Sequence, residues 1–471
     1  MVIALALALA MAVVIGVVGG RVGRSEPVRM SAGPNRPLSE DVGSVSAHNS
    51  PSVAVSPTDP RSLLVAGRVD RPEFSAVVRL SRDGGRTWST TDLTLPPGQV
   101  RPFEPQLAFD AKGTLYVLFS TLDGPGIGPN GLWLEKSLDG GSTFSSPVRV
   151  ADRFAYQARL AVDRTSADVH VTWLQANDAV VKGGTPALGL GPPPNPVMMA
   201  TSSDGGATFA QRAQVSDPRR RRVGAASPAV APGGDLFVLY QDYGGDVADF
   251  EGLPGEVHQG AFSLVMSRSK NRGASFSDVG VVESNLVPSE RFSVFVPRFP
   301  SLAVDPRDAT LYVAWSDARN GDADVFVRRS DDLAESWSAP VRVDNAEDSP
   351  RQQQYLPKLG VAPNGRVDVI FLDRDDRADG FPTKALLSSS VDRGRTWDAT
   401  AVSDRVFDGR IGPRHGPGGA DRRGLADAGT NLGLVSTIDA AFVVWPDSRR
   451  GTLGTDHQEL FFAHVGVTGG P

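Results

Sequence analysis

An eight-residue turn, Ser-x-Asp-x-Gly-x-Thr-Trp in its fullest form, recurs along the chain and limits its fold more than any other feature. It reads SRDGGRTW from Ser81, SLDGGSTF from Ser137, SSDGGATF from Ser202, SKNRGASF from Ser269, SDDLAESW from Ser330 and SVDRGRTW from Ser390. The serines are 56, 65, 67, 61 and 60 residues apart. Between the turns lie apolar segments of the form x-Leu-Ala-Val: PSVAV from Pro51, PQLAF from Pro105, ARLAV from Ala158, SPAVA from Ser227, PSLAV from Pro300, PKLGV from Pro357 and NLGLV from Asn431. Six alternating segments follow, each ending in an aromatic residue: Phe119, Trp173, Tyr240, Trp315, Phe371 and Trp445. A third segment, such as VFVRRS from Val325, leads into the turn. Their length and their β-branched and aromatic content mark them as strands.

The turn has a physical logic. A short carboxylate or amide (Asp83, Asp139, Asp204, Asn271, Asp332, Asp392) hydrogen-bonds the backbone of its own turn, Gly relieves positive φ, and the final Trp or Phe packs on the sheet. These six residues are therefore read as structural. The octapeptide resembles the Asp box (BNR repeat) of sialidase-like, or neuraminidase-superfamily, β-propellers, with Asn271 and Ala334 as departures in the fourth and fifth copies. The resemblance implies an all-β fold of four-stranded antiparallel blades, and a period of about 62 residues suits such blades with long loops. Six turns allow six blades. Seven first strands, however, point to seven, covering residues 27–471 as one domain. The last unit lacks a fourth strand, and PVRMSAG from Pro27 resembles PVRVDN from Pro340, a fourth strand. The N-terminal segment is expected to complete the last blade and close the ring.

Residues 2–20 are uncharged and apolar, followed by Arg21 and Arg24. About 1.5 Å per residue lets such a run cross a hydrocarbon core of about 30 Å. Residues 1–26 read as a signal peptide or an N-terminal membrane anchor, giving export, secreted or held at the outer membrane face. A cytoplasmic domain on an anchor is the other reading, favoured by the position of the two arginines. The N-terminal segment is the only expected membrane contact. The chain has no cysteine, so disulfides, thiolate metal sites and a Cys nucleophile are excluded. Its net charge of −6 excludes a globally basic nucleic-acid binder. The run Arg219 to Arg222 reads as a solvated loop.

In an up-and-down blade, the turns after strands one and three share a face, so the Ser-x-Asp turns lie together. The other face receives the long insertions at 175–196, 242–261 and 403–430, and is the candidate mouth. Asp242, Asp317, Asp373 and Asp447 follow the second strands there, with Asp123 nearby. They read either as salt bridges and turn caps, or as a sugar-binding rim. Asp oxygens are also the donors Ca²⁺ prefers, but no Asp-x-Asp-x-Asp-Gly loop is present, so no metal or cofactor is expected. The six histidines form no HExxH pair, and no P-loop, Rossmann fingerprint or nucleophile elbow occurs in context.

The sialidase resemblance extends to blade five, where Arg298-Phe299-Pro300 is similar to the family's Arg-Ile-Pro. It implies Arg298 as a carboxylate clamp, Arg319 as a neighbouring substrate arginine, and Asp322 or Asp324 as acid/base. The family's Tyr nucleophile with its Glu partner has counterparts in Tyr355 (or Tyr156) and Glu104. The family places this blade first in a six-bladed ring, whereas here it is fifth. Arg101, Arg159, Arg351 and Lys358 lie near blade starts, and Arg101, Arg159, Asp317, Asp373 and Asp447 are the binding candidates. The implied function is an exported, monomeric propeller that binds glycans at its mouth, with exo-cleavage of terminal sialic-acid-like sugars as its glycoside hydrolase activity. A non-catalytic binding or scaffold module for a cell-surface polymer or protein explains the repeats equally well.

Overall fold

The computed structural model describes residues 28–38, 46–122, 128–177, 181–182, 185–186, 193–247, 260–287, 298–344, 351–414 and 425–469. Residues 1–26, read above as a signal peptide or anchor, Asp123 and parts of the three insertions lie outside them. The described chain forms a seven-bladed propeller of four-stranded antiparallel blades, and none of it is α-helical. The inner strands are Ala47–Val55, Pro102–Phe109, Ala155–Val162, Val223–Val230, Ser301–Val304, Gln352–Val361 and Gly433–Ser436. Each of the first six blades runs outward in sequence order, as in blade five with Leu311–Asp317, Asp324–Ser330 and Val341–Arg342.

Blade seven is closed by the N-terminus, as the sequence comparison of the two ends suggested. Arg29–Ala32 pairs antiparallel with Glu459–Thr468, with Arg29 opposite Thr468 and Ala32 opposite Val465. Gly33 donates its N–H to the His464 carbonyl at 2.8 Å, and any Cβ at Gly33 would stand 2.8 Å from that oxygen. Asn35 then binds blade six through Val402 O and Asp404 N. Two positional expectations shift. Ser52, Ser227 and Ser301 each accept an N–H from the next blade, from Leu107, Leu302 and Leu359. This equivalence starts the fourth apolar segment at Ala226 rather than Ser227. Gly433, opposite Val444, matches Ser52, opposite Ala66, so the seventh starts at Leu432 rather than Asn431.

Alternation along each strand sends side chains into the gaps on either side of a blade. Seven buried apolar clusters fill the seven gaps: for instance Val53, Val65, Phe442 and Val444 between blades one and seven, and Leu118, Leu134, Val171 and Trp173 between blades two and three. The core is thus a ring of interfaces around the axis rather than a single centre.

The Ser-x-Asp turns repeat one hydrogen-bond pattern. In the second, the Ser137 hydroxyl donates to Asp139 Oδ1 and accepts the Gly141 N–H, while Asp139 accepts the N–H groups of Ser142 and Thr143 and the Thr143 hydroxyl. These donors hold the Asp139 carboxyl well below the usual carboxylate range. Glycine suits the fifth position of the motif, where φ is positive. Gly85 has φ 84°, and a Cβ there would lie 2.2 Å from the Phe462 ring. Ala334 keeps the same turn at φ 75°, its Cβ buried in the cluster between blades four and five.

Three outcomes are expected. Truncation to residue 34 exposes the Glu459–Thr468 edge, so the protein should melt lower and aggregate in a concentration-dependent way by light scattering. Asp139→Ala should cost on the order of 1–2 kcal/mol in chemical denaturation, the worth of a few local hydrogen bonds. Glu135 is buried in blade two with one oxygen accepting the Thr94 N–H and the other without a partner among the described residues, and burial pushes its carboxyl up to about 7. A folded value above the unfolded one gives stability that is full in acid and lost as pH rises through about 7. Glu135→Gln should therefore stabilise the protein at pH 8, on the order of 1–3 kcal/mol, and change little at pH 4.

Candidate functional site at the propeller mouth

The inner strands enter the ring through a shared distortion. In blades one, two, three, four and six the pairing slips by one residue near the mouth, and Ser50, Glu104, Gln157, Ala225 and Leu356 take φ values of 49°, 47°, 57°, 50° and 55°. A bulge re-aims the side chains beside it. None of these residues is glycine, so the sequence carries no mark of the feature. Gln157 shows its use: the side-chain oxygen accepts the Ala225 N–H of the next blade at 2.7 Å.

Arg159 lies just past the blade-three bulge and is buried. Its guanidinium donates to Ala158 O at 2.8 Å, Asn431 Oδ1 at 3.1 Å and Thr430 Oγ1 at 3.3 Å, and stacks 3.6 Å from the centre of the Phe299 ring. One side chain from blade three thus reaches residues of blade five and the blade-seven entry. Thr430 accepts the Phe299 N–H at 3.4 Å and meets Ser50 through both its backbone N–H and its hydroxyl. Beside this crossing, Arg68 of blade one forks onto Asp70 at 2.7 and 2.9 Å, with Glu104 at 3.5 Å and Asp427 at 3.7 Å. The surrounding carboxylates hold Arg68 firmly protonated despite its burial.

Arg298 and Tyr355, both proposed from sequence, come together. The Arg298 guanidinium lies 4.8 Å from the Tyr355 ring centre and that of Arg374 lies 5.3 Å from it. Tyr355 is buried, and Arg374 is anchored by Asp376 at 2.6 Å. The result is an aromatic ring with two cations beside it, one of which, Arg298, is next in sequence to the Phe299 that carries Arg159.

The remaining candidates are held in the frame. Arg319 forks onto Asp317 at 2.9 and 2.6 Å, with Glu283 at 3.4 Å, and Asp317 also accepts the Trp315 indole N–H at 2.9 Å. Blade seven repeats this as Trp445, Asp447 and Arg449. The arrangement belongs to a wider device. Seven Asp-x-Arg turns among the described residues (at Asp59, Asp217, Asp305, Asp317, Asp375, Asp408 and Asp447) have the carboxylate accepting both the arginine N–H and its Nε–H. Asp322 accepts the Arg351 N–H at 2.6 Å, and Asp324 accepts from Asn320 and lies 3.6 Å from Arg342. Asp373 faces Lys384 at 3.4 Å, and its burial pushes the carboxyl up. Arg101 lies at the entry to blade two, where its carbonyl accepts the Leu122 N–H.

In the basic run, Arg219 binds Asp217, Arg220 bridges Asp242 and Asp278, and Arg221 binds Pro193 O. Among the described residues, no three His, Asp or Glu side chains are grouped to hold a metal ion. A hollow of about 490 Å³ on the opposite face is lined by Asp235, Asp308 and Asp331, which are paired with Arg268 or Arg393. Sequence reasoning missed Arg68, Thr430 and Asn431 as site residues. An arginine inside an alternating apolar strand was the available signal for Arg68.

No family profile matches the sequence, and no curated protein matches it. Among solved structures, the endosialidase of phage phi92 is 11% identical, with 93% of this chain and 69% of that chain aligned at a TM-score of 0.51. An ulvan lyase, from a polysaccharide lyase family, is 11% identical over 89% of this chain and 94% of its own at 0.51. A protein of unknown function from Dyadobacter fermentans is 12% identical over 93% and 99% at 0.50. At these identities the likenesses show the fold alone, a sialidase-like propeller.

Proposed function

We propose that the protein is an exported glycan-binding propeller whose mouth takes an acidic sugar, held on the outside of the cell or released through residues 1–26. The observation that carries this reading is the buried Tyr355 ring beside the Arg298 and Arg374 guanidiniums. Guanidinium forks bind carboxylates in two-point fashion, and the buried ring holds the two guanidiniums near one another. That two of the similar folds belong to an endosialidase and an ulvan lyase accords with a glycan ligand.

Binding fits the geometry better than exo-cleavage. A retaining sialidase-type reaction needs a free acid/base and a carboxylate to activate the tyrosine. Here Asp322 and Asp324 brace the start of blade six and the second turn of blade five, while Glu104 faces Arg68. The reading therefore favours a binding module over a glycoside hydrolase.

Calorimetric titration with sialylated or uronate-bearing oligosaccharides and their neutral counterparts tests it. The acidic ligands should bind at least tenfold more tightly. Arg298→Ala should remove that preference with little change in melting temperature, and Arg298→Lys should still weaken binding, because it keeps the charge and loses the fork. Arg319→Ala should do the reverse, lowering the melting temperature and sparing affinity. Equal binding of acidic and neutral sugars, or wild-type affinity in Arg298→Ala, would overturn the assignment. Turnover of a fluorogenic sialoside between pH 4 and 8 that is lost in Tyr355→Phe would establish the hydrolase instead.

A further inference from the structure

Arg159 and Lys358 occupy the same place in two inner strands, the second position of the five-residue apolar segment. Blades one, four and five carry Ser52, Ser227 and Ser301 there, and each hydroxyl is satisfied by an N–H of the next blade. Blades three and six instead place long cations at this position. Arg159 is held by neutral acceptors only: Ala158 O, Asn431 Oδ1 and Thr430 Oγ1. Its Nε–H has no acceptor among the described residues. Lys358 is half-buried, and among the described residues its ammonium has neither a hydrogen-bond acceptor nor a carboxylate partner. The nearby carboxylates Asp70, Glu104 and Asp427 gather in contact with Arg68, and Glu104 acts on Arg159 through its charge without a direct hydrogen bond.

We propose that Lys358 and Arg159 form an oxyanion site in the axial channel, taking a sulfate, phosphate or carboxylate group. A frame residue at this position needs only a hydroxyl, as three blades demonstrate, whereas the two cations here have no carboxylate in contact among the described residues and can take an oxyanion directly. The guanidinium is already oriented by three acceptors and the Phe299 face, and it keeps free N–H donors for a planar or tetrahedral oxyanion. The ammonium supplies a point charge with three donors. Burial and the Arg159 charge together pull Lys358 down to about 8, the response of an ammonium lacking its anion. The site stands whether or not the mouth binds a glycan. Its occupant is either a free inorganic anion or the acidic group of a sugar reaching down from the mouth.

Thermal melting of the full chain at constant ionic strength, with inorganic sulfate or glucuronate replacing chloride, tests this site. The wild type should show a saturable rise of several degrees with millimolar sulfate. Lys358→Met should show only the gradual, non-saturating rise that sulfate gives proteins by exclusion. A glucuronate response that Arg298→Ala removes, beside a retained sulfate response, identifies the occupant as a sugar acid entering from the mouth. Equal glucuronate responses in wild type and Arg298→Ala identify a free anion. A second readout needs no loss-of-charge variant: the Lys358 titration, followed by NMR of ¹³C-labelled lysine and assigned by its absence in Lys358→Arg, should move upward by at least one pH unit with saturating sulfate. A saturable rise of the same size in Lys358→Met, or an unmoved Lys358 titration, would overturn the site.

Discussion

Ring closure is the constraint on which the rest of the structure depends. Each blade is apolar on both faces and buries neither alone, so the fold is stable only when every gap is filled. The chain has no cysteine to lock its ends. A four-residue ladder between Arg29–Ala32 and residues 465–468, reinforced by Gly33 and Asn35, does that work. The crossing at the channel depends on it too. Arg159 can touch Phe299 and Asn431 together only because blades three, five and seven are fixed around one axis.

Long polar side chains add a second layer of connection at the rim. Arg82 reaches the carbonyl of Asp139, Lys136 that of Gly205, Arg329 that of Arg393, and Arg366 three carbonyls around Thr437. Each joins a blade to the next one's turn. Hydrogen bonds of this kind contribute modestly singly, but they point the same way around the ring and oppose the splaying of neighbouring blades.

The architecture was legible in the sequence because strands and turns are local events. The period between Ser81 and Ser390, the alternating apolar segments and the match between the regions of Pro27 and Pro340 specify blades, faces and closure. The site was legible in part. Of the residues singled out in the sequence, Arg298 and Tyr355 lie together, although they belong to different blades. Asp-x-Arg could not be sorted by sequence into rim and frame, since a carboxylate that caps its own turn and one that awaits a ligand look alike. Asp317 and Asp447 are bound by their own arginines and tryptophans. The mouth bulges were invisible for a different reason. Ser50, Glu104, Gln157, Ala225 and Leu356 adopt glycine-like φ under the demands of pairing on both sides, which no local propensity records.

The closing strand also sets a polarity. Arg29 sits opposite Thr468, at the end of the third strand where the other blades make their Ser-x-Asp turns, and the strand then runs toward the mouth to reach Pro37 opposite Phe461. Any segment joined ahead of Val28 therefore leaves from the face opposite the mouth. A leash at that point would hold the disc by its back, with the mouth turned toward the surroundings and approached without passing the surface that bears it. Fusion or immobilisation at this terminus would keep the mouth open, whereas the same graft on the 403–430 insertion would stand in its way.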